Sequence, residues 1–264
     1  MTGNEETKEL KNTFEAKLAG AGILKDAVSA VYEIVKEEVS FKLTKDGLYF
    51  SAMDPANVSM VTFRLLVTAF ESYSLTEEKT IGIDMERLMQ VMKQAGSSDA
   101  LTLKLPLESS TLSIILKGSG TRRFNIPLID NPSEGRKPPT INFEATVVLK
   151  SDSLSQAISD AEVFSDSVLI LADKRTFSVE ASGENGKVAT ELEKGRDDAL
   201  VEIEATAPAK ARYAVDYLKK MVKGGKLSET AKIQFKTDFP IQLEYLVTDK
   251  IQLKYVLAPR IESE

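Results

Sequence analysis

The chain has 264 residues, 42% hydrophobic and 28% charged, with a formal net charge of −6, an ordinary globular composition with room for two domains of common size. Cysteine and histidine are both absent, which removes disulfides, thiolate metal sites and cysteine nucleophiles and leaves acid–base chemistry to carboxylates, lysine or hydroxyls; no catalytic residue, metal or cofactor is expected. No run of about 18 apolar residues is present and the N-terminus is polar, so the chain is expected to be soluble and intracellular, with no membrane span or signal peptide.

In chain order, residues 1–13 read as a polar tail. Lys17 to Val39 carries a helical pattern, with Ile23, Leu24, Ala27, Val28, Val31 and Ile34 on one side. Val39 to Leu43 alternates as a strand, Asp46-Gly47 signals a hairpin, and Leu48, Phe50 and Ala52 resume the alternation. After a loop at Met53 to Asn57, a further strand begins at Val58. Asp84 is placed as the N-cap of a second helix running to Ala95, with Leu88, Met89, Met92 and Ala95 inward. Strands follow at Leu101 to Leu105, Thr111 to Lys117 and Thr121 to Leu128. Leu128 to Asn142, with three prolines, a glycine and four charged residues, can neither continue a helix nor sit inside a sheet, and reads as a connector.

Beyond the connector the pattern repeats. Phe143-Glu144-Ala145 answers Phe14-Glu15-Ala16, 129 places on, and the same offset pairs Leu48 with Phe177, Leu88 with Tyr217, Leu112 with Ile241 and Ile126 with Tyr255. Helices are expected over Ser153 to Phe164 and Lys210 to Val222, the latter ended by a Gly224-Gly225 C-cap. Strands are expected at 167–171, 176–182, 188–192, 200–205, 232–236, 241–247 and 253–257. The expected fold class is α+β: two duplicated half-domains, 14–127 and 143–264, joined by the connector 128–142, each with two helices on one face of about eight short strands. So many strands leave edges that must be paired or hidden.

Few stretches suggest chemistry. Lys117-Gly118-Ser119-Gly120-Thr121 lacks the spacing of a phosphate loop and sits between strands, so it reads as a hairpin turn; Lys223-Gly224-Gly225-Lys226 reads as a helix end. Asp197-Asp198, Glu202 and Glu204 read as solvent-facing charges. Lysines on the helices stand out from the acidic background. Lys219, Lys220, Lys223 and Lys226 lie on and after the fourth helix, Arg87 and Lys93 on the second, and Lys25 on the first. A solvated face is the plain account of any one helix. Their recurrence points to one basic surface for a polyanion.

Several segments resemble the sliding clamps of the proliferating cell nuclear antigen family, in its archaeal branch. They are Asp46-Gly47-Leu48-Tyr49-Phe50-Ser51-Ala52-Met53-Asp54-Pro55-Ala56-Asn57-Val58, Ser178 to Glu184, Phe124 to Asp130, and the ending Leu257-Ala258-Pro259-Arg260-Ile261-Glu262. The resemblance implies a homotrimeric ring of six half-domains, with helices around a hole for double-stranded DNA and sheets outside. It implies a processivity factor that tethers DNA polymerase, clamp loader, flap endonuclease and DNA ligase, with no catalysis of its own, in the cytoplasm of an archaeal cell. The DNA-facing residues would be Lys25, Arg87, Lys93, Lys219, Lys220 and Lys223. Subunits would join through Thr121, Arg123, Phe124 and Ile126 on one side and Lys187, Val188, Thr190 and Leu192 on the other. Partner peptides ending in two aromatic residues would enter a pocket of Met53, Met60, Ile141, Pro240, Val256, Ala258 and Pro259. The third helix departs from the family pattern: its polar set of Ser155, Gln156, Ser159, Asp160 and Glu162 contains no cation. The alternatives are a specialised subunit of a heterotrimeric or checkpoint-type clamp and, from another class, a carboxylate-dependent enzyme on a duplicated β-rich fold.

Overall fold

The computed structural model describes residues 12–106, 108–130 and 135–261; residues 1–11 of the expected tail, the middle of the connector and Glu262 of the ending motif lie outside them. The first half runs β1 (Asn12–Leu18), α1 (Gly22–Tyr32), β2 (Glu38–Thr44), β3 (Gly47–Met53), β4 (Ser59–Leu66), β5 (Ser72–Leu75), β6 (Lys79–Asp84), α2 (Met85–Gln94), β7 (Ala100–Pro106), β8 (Thr111–Lys117) and β9 (Thr121–Pro127). The second half runs β10 (Ala145–Lys150), α3 (Ser151–Glu162), β11 (Ser167–Ala172), β12 (Thr176–Gly183), β13 (Gly186–Glu193), β14 (Leu200–Ala205), β15 (Ala209–Ala214), α4 (Val215–Met221) with a 3-10 turn (Val222–Lys226), β16 (Thr230–Phe235), β17 (Ile241–Val247) and β18 (Ile251–Leu257). The order of strands and helices is the same in both, so the chain is a duplicated α+β fold.

Each half contributes a five-strand unit and a four-strand unit, and their joining decides the architecture. In the second half the five-strand unit is β14-β10-β16-β17-β18, and in the first the four-strand unit is β4-β3-β2-β6. Antiparallel pairing of β18 with β4, from Ile251 opposite Leu65 to Leu257 opposite Ser59, fuses them into one nine-stranded sheet. The remaining units, β5-β1-β7-β8-β9 and β13-β12-β11-β15, stay separate sheets. Strands β9 and β13 are therefore sheet edges, paired with β8 and β12 on one side and with no strand on the other among the described residues. The helices form a row, since α2 packs on α1, α1 on the 3-10 turn after α4, and α4 on α3. The row has α2 beside β9 at one end and α3 beside β13 at the other.

Local chemistry accounts for most boundaries. The Asp84 carboxylate accepts from the backbone N–H groups of Glu86 and Arg87, capping α2 as its sequence position predicts. Gly47 holds φ +130 in the β2–β3 turn, where a Cβ would stand 2.1 Å from the Leu65 carbonyl oxygen. Apolar alternation buries Leu101, Leu103 and Leu105 of β7 and Leu112, Ile114 and Leu116 of β8 beneath the helices.

Five expectations are corrected. The helical pattern read from Lys17 to Val39 is the strand end of β1, a turn, the shorter α1 and the start of β2. Phe14, Ala16 and Leu18 of β1 are buried by alternation, and pairing with β5 and β7 overrides the helix-like spacing that follows. The helix read from Lys210 to Val222 begins only at Val215, because Ala209 to Ala214 pair with β11 along their whole length. Alanine favours helices in isolation, but here Ala209, Ala211 and Tyr213 are the buried face of an edge strand. Gly224 and Gly225 are not a left-handed cap: neither has a positive φ, and a Cβ on Gly224 would lie 2.5 Å from the Tyr245 ring. Close packing is what requires glycine there. The repeat register also slips by one between α2 and α4, so that buried Leu88 answers buried Leu218 rather than half-buried Tyr217. Finally, each half contains nine strands among the described residues; β1, β5, β6, β10 and β15 are not among the strands expected from the sequence.

Candidate functional site

The middle junction, where the two halves of the chain meet, is made by contacts from both. Beside the β4–β18 ladder, the backbone N–H of Leu66 donates to the Lys250 carbonyl at 2.8 Å and that of Ala258 to the Val58 carbonyl at 2.9 Å. The Tyr255 hydroxyl, on β18, donates to the Ala30 carbonyl of α1 at 3.0 Å. Lys223, just after α4, pairs with Glu33 at the end of α1 at 2.8 Å. The two ends of the chain carry the counterparts of these elements without a neighbour. At one end β9 exposes Thr121, Arg123 and Asn125, with Phe124 half-buried and Ile126 buried; at the other β13 exposes Lys187, Ala189 and Glu191, with Val188, Thr190 and Leu192 half-buried.

The helix cations expected to face a polyanion are on the described helix row, but most are engaged within the chain. Lys25 is half-buried rather than exposed, and its ammonium donates to the Ala95 carbonyl at 2.6 Å, closing the C-terminus of α2. Arg87 lies 3.4 Å from Asp84, and Lys219 pairs with Glu162 of α3 at 2.6 Å. Lys220 stands over the Tyr217 ring at 5.1 Å. Lys93 and Lys223 are exposed, the latter holding Glu33. The acidic partners Glu33 and Glu162 are distant in sequence from their lysines, which is why spacing along one helix did not reveal them.

The apolar patch gathers on the opposite side of the junction. Register sets Met53 of β3 opposite Met60 of β4 and Met60 opposite Val256 of β18, so the three side chains form a row. Ile241 pairs with Leu257, which brings Pro240 and Ala258 out of the ladder side by side, with Pro259 next. Met60 is only 7% exposed, while Met53, Pro240, Val256, Ala258 and Pro259 are half-buried. Ile141 is half-buried; on the same stretch of chain Ile129 bridges to Gly82, and a Cβ on Gly135 would stand 2.6 Å from the Ser51 carbonyl oxygen. Val58 and Phe239, at 37% and 40% exposure, add apolar surface at the loops carrying Ala56–Asn57 and Pro240. A solvent-exposed aromatic beside a proline was the available signal for Phe239.

One buried acid ties the patch to the helix row. The Asp54 carboxylate accepts from the backbone N–H groups of Ala56, Val58 and Ser59 at 3.0, 2.9 and 2.6 Å and from the Tyr217 hydroxyl of α4 at 2.7 Å. Burial works to raise its pKa, but the Tyr217 hydroxyl and the three backbone donors together outweigh this and hold it below its ordinary value of 3.8. Burial and the nearby carboxylate push the Tyr217 hydroxyl up to about 12, so it stays a donor. The Asp54-Pro55-Ala56-Asn57 turn was legible as an Asp-led turn, whereas a partner 163 residues away was not. Among the described residues no three acidic side chains converge as a metal site, and no helix is long and apolar enough to cross a membrane.

Comparison with known proteins places this arrangement. Residues 13–128 match the family described as proliferating cell nuclear antigen, N-terminal domain, and residues 137–260 its C-terminal domain. The chain is 34% identical over 250 residues to a DNA polymerase sliding clamp of Pyrococcus furiosus, covering 95% of this chain and 99% of the relative. The crystal structure of the PCNA from Thermococcus kodakaraensis superposes with a TM-score of 0.88 at 28% identity, covering 94% of this chain and all of that one. An A. fulgidus PCNA bound to the C-terminal region of FEN-1 superposes with a TM-score of 0.86 at 30% identity, covering 95% of this chain and all of that one.

Proposed function

The chain belongs to the proliferating cell nuclear antigen family, and on that premise we propose that it acts as a DNA polymerase sliding clamp. Three copies join head to tail into a closed ring that encircles duplex DNA and tethers replication and repair enzymes to it, wherever in the cell that DNA lies. The ring catalyses nothing itself; topology, not chemistry, keeps an enzyme on its template. The half-domains divide at the connector, 128–142.

The observation that carries this reading is that the chain already makes one of the joints such a ring needs. Strand β18 corresponds to β9 and β4 to β13, since the β8–β9 ladder answers β17–β18 and Ala52 opposite Val61 answers Ala181 opposite Val188. Transferring the β18–β4 pairing to a β9–β13 contact between copies puts Phe124 and Ile126 on the face shared with Val188, Thr190 and Leu192, and Arg123 and Asn125 on the face shared with Lys187, Ala189 and Glu191. The more buried residues then share the helix side and the exposed ones the outer side, the parity a continuous sheet requires, with exposed Arg122, which holds Asp99 and the Gln94 carbonyl, as the exception on the helix side. Such a contact is head-to-tail, and it ends in a ring when its rotation divides the circle.

Closing the ring continues the helix row around the hole. Lys219, Lys220 and Lys223, with Lys25 and Arg87, supply local positive charge on a chain of net charge −6, and they contact phosphates rather than bases. Partners such as the polymerase, clamp loader, flap endonuclease and DNA ligase insert aromatic-ended peptides over Met53, Met60, Val256, Ala258 and Pro259, bounded by Ile141 and Pro240; methionine adapts to aromatic shapes. The A. fulgidus relative bound to the C-terminal region of FEN-1 supports capture of partners through a terminal segment.

Light scattering on the purified chain is expected to give three times the monomer mass, and the chain to make a cognate polymerase processive on a closed circular template. A monomer at micromolar concentration, or processivity unchanged by the clamp, overturns the reading. A peptide of form Gln-x-x-Ile-x-x-Phe-Phe is expected to bind, and Ile141→Glu or Pro259→Glu to weaken it about tenfold, ~1.4 kcal/mol, in calorimetry without disturbing the trimer.

A further inference from the structure

We infer that the ring is latched at its inner rim by an ion pair between Lys93 of one copy and Glu162 of the next, and that this pair engages Lys93 at the subunit boundary instead of on DNA. The inference rests on the head-to-tail ring proposed above, and the pair itself comes from the middle junction. There the chain places a lysine at the end of one helix of the row against a glutamate at the end of the next, Lys223 with Glu33 at 2.8 Å. Within the duplication α1 corresponds to α3, with Gly22 falling on Ser151 and Glu33 on Glu162, while α2 corresponds to α4, with Met85 falling on Val215 and Lys93 on Lys223. Both charges of the joint therefore recur, at the two opposite ends of the helix row. The row sets the 3-10 turn after α4 against α1 inside the chain. Between copies the same geometry sets the end of α2 against the end of α3.

The two ends are also complementary in charge beyond this pair. The α2/β9 end exposes Arg87, Lys93 and Arg123, and the α3/β13 end carries Asp160, Glu162 and Glu191. Lys187, exposed on β13, is the exception to this separation of charge. The separation accounts for the third helix having no cation among its polar residues: its acids serve the neighbouring copy. Glu162 can accept two lysines at once. Lys219 of its own chain already holds Oε1 at 2.6 Å, which orients the carboxylate and leaves the other oxygen for Lys93 of the neighbour. Middle and ends differ in consequence. The middle pair lies within one chain beside the buried Tyr255–Ala30 bond, so its loss leaves the joint held, whereas the latch joins two separate copies and is screened by salt.

The test is a charge-swap cycle on the full chain, with wild type, K93E, E162K and the double variant diluted through the trimer–monomer transition at low salt and followed by analytical ultracentrifugation. Circular dichroism checks that each variant is folded. Reversing one charge turns attraction into repulsion at every joint of the ring, so K93E and E162K are each expected to raise the concentration at which half the trimer dissociates about tenfold or more, and the double variant to recover to within about threefold of wild type. The differences should shrink toward nothing in molar salt. Single variants that dissociate like wild type, or a double variant no better than the worse single, overturn the latch while leaving the ring intact. A wild-type chain that never trimerises overturns the ring and the latch with it. Loss of polymerase stimulation by K93E under conditions where its trimer persists would return Lys93 to the DNA and likewise overturn the inference.

Discussion

At the middle of the chain β18 lies against β4 and buries Ile251, Leu253, Tyr255 and Leu257, whereas its counterpart β9 buries only Ile126 and exposes Thr121, Arg122, Arg123 and Asn125. The two strands occupy the same place in their halves and differ in what their residues prepare for. The middle joint is apolar and hydrogen-bonded like a core, and the ends are charged in the way that keeps sheet edges from pairing indiscriminately. A ring that must be loaded on DNA needs both kinds of joint: one that never opens and one that opens without unfolding the protein.

Substitutions at matched positions can break this contrast. Tyr255→Ala, which empties a fully buried site and removes the bond to Ala30, is expected to cost about 3–5 kcal/mol of folding stability in urea unfolding. Phe124→Ala, at the half-buried position of β9, is expected to leave the chain folded with a much smaller loss and to act on trimer assembly instead. Equal losses of folding stability for the two would mean that the end is as much a core as the middle.

A smaller effect is expected at the link between patch and helix row. Asp54→Ala leaves three backbone donors and the Tyr217 hydroxyl facing no acceptor, at a cost of about 2–3 kcal/mol at pH 7. The pH dependence has a definite sign. The folded-state pKa is depressed below 3.8, so the contribution of Asp54 is fully present above about pH 4 and is lost as the pH falls through the folded value. Unfolding curves of wild type and Asp54→Ala should therefore differ at pH 7 and converge toward pH 2. A gap that stays constant with pH would show that the carboxylate charge is not what holds the loop.

The smallest effects sharpen the comparison at two glycines. A methyl group on Gly224 meets the buried Tyr245 ring at 2.5 Å, so Gly224→Ala is expected to cost about 1–3 kcal/mol. Gly120, in the hairpin that leads into the open strand β9, has nothing within 4 Å of an added Cβ, and Gly120→Ala should change thermal stability by no more than about 0.5 kcal/mol. The reverse order in melting experiments would refute the assignment of tight packing to the middle and slack to the end.

The duplication, the α2 cap at Asp84 and most strands were legible from the amino-acid sequence alone, because apolar alternation and capping act between residues a few places apart. Where a local signal competed with a distant one, the distant one prevailed. Ala209 to Ala214 became a strand because β11 lay alongside, and Gly224 was required by the ring of Tyr245 rather than by a helix cap. The lysines were visible as a basic pattern, but what they hold was not: Lys219 finds Glu162, Lys223 finds Glu33 and Lys25 finds the Ala95 carbonyl only once the helices are side by side. The joining of β18 to β4, which makes one sheet of two halves and leaves β9 and β13 bare, also belongs to the tertiary structure. Strand pairing across nearly two hundred residues is selected by the summed burial of both faces, and no window of sequence contains both partners.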